Sequence, residues 1–69
     1  MHIIVDLDGV LRSQTDEPIS TGIIMTGTLS VYNKLTLLSS SSYQETKYWL
    51  DVNKVVDFDI IIDSSVGLP

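Results

Sequence analysis

The sequence contains no cysteine, so no disulfide stabilises the fold, and this lack fits a reducing compartment. Basic residues are also scarce, because four Lys and Arg stand against nine Asp and Glu, for a net charge of −5. The four are scattered and form no basic stripe that could follow a phosphate backbone, which excludes nucleic acid as an expected partner. Long apolar runs and a signal peptide are missing as well. We therefore expect a cytoplasmic protein with no membrane partner.

The chain is short, with 69 residues of which 43% are hydrophobic, and this leaves room for a single domain over 1–69. A domain of this size buries only about 60% of the surface that its unfolded chain exposes. Because neither disulfides nor a cysteine-based zinc site supplement the core, we expect marginal stability.

Three short apolar runs rich in β-branched residues predict strands that are buried on both faces of a sheet. They are His2–Val5, Leu35–Leu38 and Asp59–Asp63. Ahead of the third run, Ser42 and Glu45 match the S-x-x-E pattern of a capping box. This pattern predicts a helix over 43–53, with Thr46, Trp49 and Leu50 on one of its sides.

The segment 20–33 is ambiguous, because Gly22, Gly27 and its β-branched residues weaken a helix and propensity alone also allows a pair of strands. A helix here would place Ile24, Thr28 and Val31 on one face. Parallel neighbouring strands need a crossover of about a dozen residues, and a helix over 20–33 provides one. The expected fold is therefore α/β, with a three-stranded parallel sheet in β-α-β-α-β order.

Polar side chains follow each predicted strand: Asp6 and Asp8 the first, Ser39 the second and Asp63 the third. Ligands of open α/β sheets bind beyond the carboxyl ends of the strands, so these groups are expected at one rim. Mg²⁺ prefers one or two carboxylates together with water and substrate phosphate. With such a cation, Asp6 can attack phosphorus and Asp8 can move a proton to the leaving group. The hydroxyl of Ser39 is then placed to hold a phosphoryl oxygen.

Simpler roles are open for two of these positions. Asp63 is more often a turn residue at the end of a strand than a ligand. The run Ser39–Ser42 is typical of a helix-capping turn, although Ser42 can cap the helix while Ser39 faces a ligand.

The segment Val5–Leu11, VDLDGVL, resembles the first motif, hhhhDxDGxL, of the haloacid dehalogenase (HAD) superfamily. Most members are Mg²⁺-dependent phosphatases that work through an aspartyl-phosphate. Leu35–Leu38 followed by Ser39 is similar to the second motif of that superfamily, an apolar strand ending in Ser or Thr. Within the superfamily, the whole chain looks like the small HAD-like proteins that bacteriophages encode.

The resemblance implies a role for each matching residue. Asp6 is the expected nucleophile and Asp8 the expected general acid and base. The Asp6 carboxylate and the Asp8 backbone carbonyl are the expected magnesium ligands, and Ser39 and Gly9 are assigned to the phosphate. The expected function is a Mg²⁺-dependent phosphohydrolase acting on a phosphorylated small molecule.

The chain also departs from the HAD pattern. No Lys or Arg of the third motif and no acidic pair of the fourth motif follow in the expected order. Lys47 and Lys54 lie on or just after the second predicted helix, and Asp63 ends a strand that lies away from the metal in the family. The resemblance thus covers half of a HAD-like Rossmannoid core, and we expect a truncated and incomplete domain. The alternative function is a catalytically inactive, HAD-derived module for self-association or partner binding.

HAD domains place a further strand beside the first one, and its lack here would leave the edge of His2–Val5 bare. An apolar strand edge is a template for pairing, and this one has no Lys or Pro to prevent it. We therefore expect a homodimer or a higher homo-oligomer that forms through the exposed edge of the first strand.

Overall fold

A computed structural model describes residues 1–65, and it contains three strands and two helices. Their order along the chain is β-α-β-α-β, which confirms the predicted α/β fold. The bounds are β1 His2–Asp6, α1 Ser20–Ser30, β2 Lys34–Leu38, α2 Tyr43–Val52 and β3 Ile60–Ile62.

The strands form one parallel sheet in the order β1-β2-β3, so their carboxyl ends lie at the same rim. Asp6 pairs with Leu38, and Leu38 pairs with Ile62. Backbone hydrogen bonds continue past this row, because the Leu7 N–H donates to the Leu38 carbonyl at 2.9 Å and the Ser39 N–H donates to the Ile62 carbonyl at 2.8 Å. These bonds fix the backbone from which the candidate site residues project.

Among residues 1–65, both helices pack against one face of the sheet. The expectation of burial on both faces is wrong for β1 and β3 but confirmed for the central strand β2, where Leu35, Thr36 and Leu37 are all buried. Val5 and Leu37 pack in one core with Leu50 of α2 and Ile23 of α1. On the other face Ile4 is 64% exposed and Ile60 is 50% exposed. Two right-handed crossovers that proceed in the same direction across a sheet place both helices on the same side. A run of apolar residues in the sequence does not show whether one or both faces of a strand are covered.

Helix α1 is confirmed, but it ends at Ser30 rather than near Asn33 and has no side-chain cap at its N-terminus. The face that carries Ile24, Thr28 and Val31 is exposed to solvent. The buried side has small residues instead, Gly22 and Thr26. The small residues face inward because α1 lies directly against the loop after β1. A Cβ on Gly22 would lie 1.8 Å from the Val10 carbonyl oxygen.

Helix α2 follows the predicted capping box. The Ser42 hydroxyl accepts a hydrogen bond from the Glu45 N–H at 3.2 Å. Thr46 and Leu50 are buried and Trp49 packs against the core, as the spacing predicted. The helix ends one residue earlier than expected, at Val52.

The cap gives a direct stability test. Replacing Ser42 with alanine leaves the Glu45 N–H without its acceptor, and we expect the free energy of unfolding to fall by about 1 kcal/mol. Ser20→Ala is the matched control, because Ser20 begins α1 without serving as its cap. Urea unfolding of both variants should show the loss for Ser42→Ala alone, and equal losses would contradict the assigned cap.

Candidate functional site

A cavity of about 550 Å³ opens at the carboxyl rim of the sheet. It brings together the predicted residues Asp6, Asp8 and Ser39, and its wall also includes Asp63. The convergence follows from the parallel register, which ends the three strands at one level. The full lining consists of Asp6, Asp8, Leu38, Ser39, Ser40, Ile62, Asp63 and Ser64.

Asp6 is the last residue of β1, and it is exposed. Among residues 1–65, no hydrogen bond or ion pair engages its carboxylate. Both of its oxygens are therefore available to a ligand in the cavity. The lone pairs of an unengaged carboxylate are available to bind a cation or to attack an electrophile.

Asp8 is held in place. The Arg12 Nε donates to its Oδ1 at 3.0 Å, the Arg12 Nη2 lies 2.9 Å from the same oxygen, and the Ser40 hydroxyl donates to its Oδ2 at 3.0 Å. The side chain of Arg12 is itself only 11% exposed. Such charge-assisted contacts fix both the position and the orientation of a carboxylate. The two acids of the motif thus differ, with Asp6 free and Asp8 anchored.

Arg12 links this site to the second helix. Its Nη2 donates to the Ser41 hydroxyl at 3.2 Å, and its guanidinium lies 5.9 Å from the centre of the Trp49 ring. The Trp49 indole donates to the Asp16 carbonyl at 3.1 Å, which ties the loop after β1 to α2. Sequence reasoning missed Arg12, because a single arginine in a polar loop gives no signal of burial.

Ser39 lines the cavity, but its hydroxyl is engaged. It lies 2.7 Å from the Thr46 hydroxyl and accepts the Ser41 N–H at 3.1 Å. Because Thr46 donates its own proton to the Ser42 carbonyl at 2.8 Å, Ser39 must donate to Thr46. In this arrangement the hydroxyl has no proton left for a phosphoryl oxygen. Contact with a phosphate therefore stays a prediction for Ser39 that requires a change of hydrogen bonds.

Ser40 is the serine that sequence reasoning passed over. It is exposed, lines the cavity and donates its hydroxyl to Asp8. In a run of four serines, only the three-dimensional course of the turn decides which hydroxyl meets the rim. The sequence carries no signal for this choice.

Gly9 is part of the loop after β1 and does not line the cavity. Its φ of 89° lies in the left-handed region, which glycine adopts without strain. Its N–H donates to the Arg12 carbonyl at 2.8 Å, and this bond closes the turn that brings Arg12 back to Asp8. The predicted phosphate contact of Gly9 stays a prediction, because this N–H is already engaged.

Asp63 has the predicted role of a turn residue. Its Oδ1 accepts hydrogen bonds from the Ser65 N–H at 2.8 Å and from the Ser65 hydroxyl at 2.5 Å. It nevertheless shares the cavity with Asp6 and Asp8, because β3 lies beside β2 and ends at the same level. Three carboxylates thus line this cavity.

Magnesium was predicted at Asp6 and Asp8, and the donor set fits it in part. No group of three or more His, Asp or Glu side chains within residues 1–65 is arranged to hold a metal ion. Mg²⁺ needs fewer protein ligands, since one or two carboxylates suffice when water and phosphate complete the octahedron. Asp6 meets this requirement with both oxygens available, and the Asp8 backbone carbonyl is its expected companion.

Comparisons with known proteins add no relative to this picture. No family model, no curated protein and no solved structure matches the chain. No helix among the described residues is both long and apolar enough to cross a membrane. The proposals below therefore depend on the sequence motif and on the geometry of the rim.

Proposed function

We propose that the chain is a HAD-like, Mg²⁺-dependent phosphohydrolase whose nucleophile is Asp6. The observation that carries the proposal is the cavity at the rim, which holds the two acids of a VDLDGVL motif with one carboxylate free and the other anchored. This difference supports the proposed roles, in which Asp6 reacts and Asp8 is held in position beside it.

Each residue has a defined part in the proposed reaction. An Asp6 oxygen forms a bond to phosphorus while the bond from phosphorus to the leaving oxygen breaks, and Asp8 gives that oxygen a proton. Water then attacks phosphorus, Asp8 takes a proton from it, and phosphate leaves with Asp6 restored as a carboxylate. Bound Mg²⁺ would be held by Asp6 and the Asp8 carbonyl and would neutralise charge on the phosphoryl oxygens. Asp8 starts the reaction protonated, and because Arg12 occupies Oδ1, the proton resides on Oδ2, where the Ser40 hydroxyl no longer donates. Arg12 keeps the side chain in position.

The substrate we propose is a small phosphorylated molecule. The cavity of about 550 Å³ is open to solvent and is large enough for a phosphate ester. The loop over residues 12–19 is too short to form a cap over it. We therefore expect weak discrimination among leaving groups.

The direct test is hydrolysis of an aryl phosphate by the full chain, with Mg²⁺ present and again after chelation by EDTA. We expect release of phosphate above the background rate that stops when the metal is removed and returns when it is added back. A rate equal to the background with Mg²⁺ present would contradict the proposed function.

Self-association without catalysis is the second candidate function, and the position of β1 favours it. Within residues 1–65, β1 pairs only with β2. The Lys34 N–H donates to the Met1 carbonyl and the Leu7 N–H donates to the Leu38 carbonyl. The backbone N–H and C=O groups of the odd-numbered residues of β1 therefore point toward β2. In a parallel ladder the N–H and C=O groups of His2 and Ile4 then point outward and are open to a further strand.

A further inference from the structure

Among residues 1–65, no helix packs on the face of the sheet opposite α1 and α2, and we call this largely apolar surface the open face. Ile4 and Ile60 are its most exposed apolar members. Parallel sheets in globular proteins are normally covered on both faces, which makes this face a place to look for a partner. The residues on this face between the charged ends are His2, Ile4, Thr36, Leu38, Ile60 and Ile62. Thr36 is buried, and its hydroxyl lies within hydrogen-bond distance of the His2 Nε2.

The open face is continuous with the candidate site. Leu38 and Ile62 belong to the open face and also form part of the wall of the cavity that contains Asp6. Asp6 itself projects on this side of the sheet, two residues beyond Ile4. A partner on the open face would therefore lie next to the cavity.

The two ends of the open face differ in charge. At the amino end, Lys34 is exposed and projects on the same side as Thr36 and Leu38. The nearby Asp59 is tied to the backbone, since its Oδ2 accepts the Leu35 N–H at 2.7 Å. At the carboxyl end stands the free carboxylate of Asp6. Four residues separate the two levels, or about 13 Å along a strand.

The opposite charges of Lys34 and Asp6 indicate which partner fits the open face and how its strands are oriented. If two copies of the sheet pack face to face about a two-fold axis along the strands, the strands are parallel, β1 lies over β3 of the other copy, and Lys34 on the central strand faces Lys34. If a two-fold axis makes the strands antiparallel, each lysine lies at the level of the opposite Asp6. The open face is thus complementary to itself in the antiparallel arrangement, with the isoleucines packed between the sheets.

We propose that a second copy of this chain covers the open face with antiparallel strands, and that Lys34 of the partner subunit reaches the cavity of Asp6. The cavity wall has three aspartates and no Lys, Arg or His among its described lining residues. A phosphate ester needs positive charge there, and the partner would supply it. The role in phosphate binding rests on the proposed function, whereas the dimer does not.

The size of the open face sets the expected affinity. β1 and β2 have five residues each and are about 17 Å long, and β3 has three residues and is about 10 Å long. With the strands about 4.8 Å apart, the face is well under the roughly 800 Å² per partner of a standard interface. We therefore expect weak association, with a dimer that forms at about 1 mM and dissociates on dilution. Sedimentation equilibrium over this concentration range measures it directly.

Two isoleucines provide a matched pair of variants. Ile60→Asp places a charge in the open face, and we expect dimerisation to weaken by tenfold or more. Ile24→Asp makes the same change at a 68% exposed position on the outer side of α1, and we expect it to leave the dimer intact. A protein that stays monomeric at 1 mM, or a dimer insensitive to Ile60→Asp, would overturn the proposal. The second result would point to pairing along the edge of β1.

Zero-length carbodiimide cross-linking tests the direction of the strands. In a mixture of ¹⁵N-labelled and unlabelled chains, we expect a Lys34–Asp6 cross-link that joins the two isotopes. Lys34→Asp should weaken the dimer, and combining it with Asp6→Lys should restore the affinity. Failure of the double variant to recover would contradict the antiparallel arrangement.

Activity separates this proposal from the proposed function. If hydrolysis is found, a mixture of Asp6→Asn and Lys34→Ala chains should regain activity, because the heterodimer has one site with both groups. A dimer with the expected cross-link but no hydrolysis would remove the proposed function and keep the interface. Hydrolysis by a protein that is monomeric at 1 mM would remove the interface and keep the proposed function.

Discussion

Asp6→Asn is expected to reduce Mg²⁺-dependent hydrolysis of an aryl phosphate by about a thousandfold or more, to the uncatalysed background. The amide keeps the shape of the side chain but removes the charged oxygen that attacks phosphorus. Because the Asp6 carboxylate has no hydrogen bond or ion pair among residues 1–65, the substitution should leave the unfolding curve unchanged. The measurement is the rate of phosphate release at saturating Mg²⁺, with urea unfolding monitored by circular dichroism.

Two further variants serve as controls for that result. Asp8→Asn should also lose activity, but it should lower the stability as well, because Arg12 and Ser40 lose a charged partner. Asp51→Asn changes an exposed acid on α2 and should affect neither property. Equal rates above background in Asp6→Asn and the unmodified protein would remove Asp6 from the chemistry. Background rates in both would favour the self-association module.

Gly22→Ala is expected to lower the free energy of unfolding by more than about 3 kcal/mol, a large share of the stability of so small a domain. The added Cβ would lie 1.8 Å from the Val10 carbonyl oxygen, and both groups belong to the main chain or are fixed to it. A flexible side chain could rotate away, but here α1 or the loop after β1 must move. The measurement is chemical unfolding followed by circular dichroism.

Gly27 provides the control in the same helix. A Cβ there would lie 3.6 Å from the Val56 Cγ1, which is an ordinary contact. Gly27→Ala should therefore stabilise the protein by about 0.5–1 kcal/mol through higher helix propensity. If Gly22→Ala also proved neutral or stabilising, the close packing of α1 against the loop would be wrong.

The fold could be predicted because its signals are local. Three β-branched runs and the Ser42–Glu45 capping box specify strands and a helix, and the rule for parallel crossovers then decides the ambiguous segment. The exposed side of α1 could not be predicted in this way. Its apolar residues Ile24 and Val31 face solvent, because the contact with Val10 requires a glycine on the other side.

The candidate site was predictable at its acids but not in its hydrogen bonds. Asp6 and Asp8 follow the first apolar run and Ser39 follows the second, so the sequence places all three at strand ends. The carboxyl ends of parallel strands form the rim at which ligands bind. The anchoring of Asp8 by Arg12 and the engagement of the Ser39 hydroxyl by Thr46 depend on how a loop and a helix meet. Such contacts join distant positions of the chain, and no periodicity in the sequence encodes them.

Paramagnetic broadening by Mn²⁺ tests the central claim most directly, because Mn²⁺ takes the same oxygen ligands as Mg²⁺. In ¹H–¹⁵N spectra of the full chain, added Mn²⁺ should broaden the amide signals of residues 6–9 and 39–40 first, and Mg²⁺ should reverse the effect by competition. Asp6→Asn should abolish it. Broadening centred on the other acidic stretch, Asp57–Asp59, or broadening unchanged in Asp6→Asn, would contradict a magnesium site at the rim.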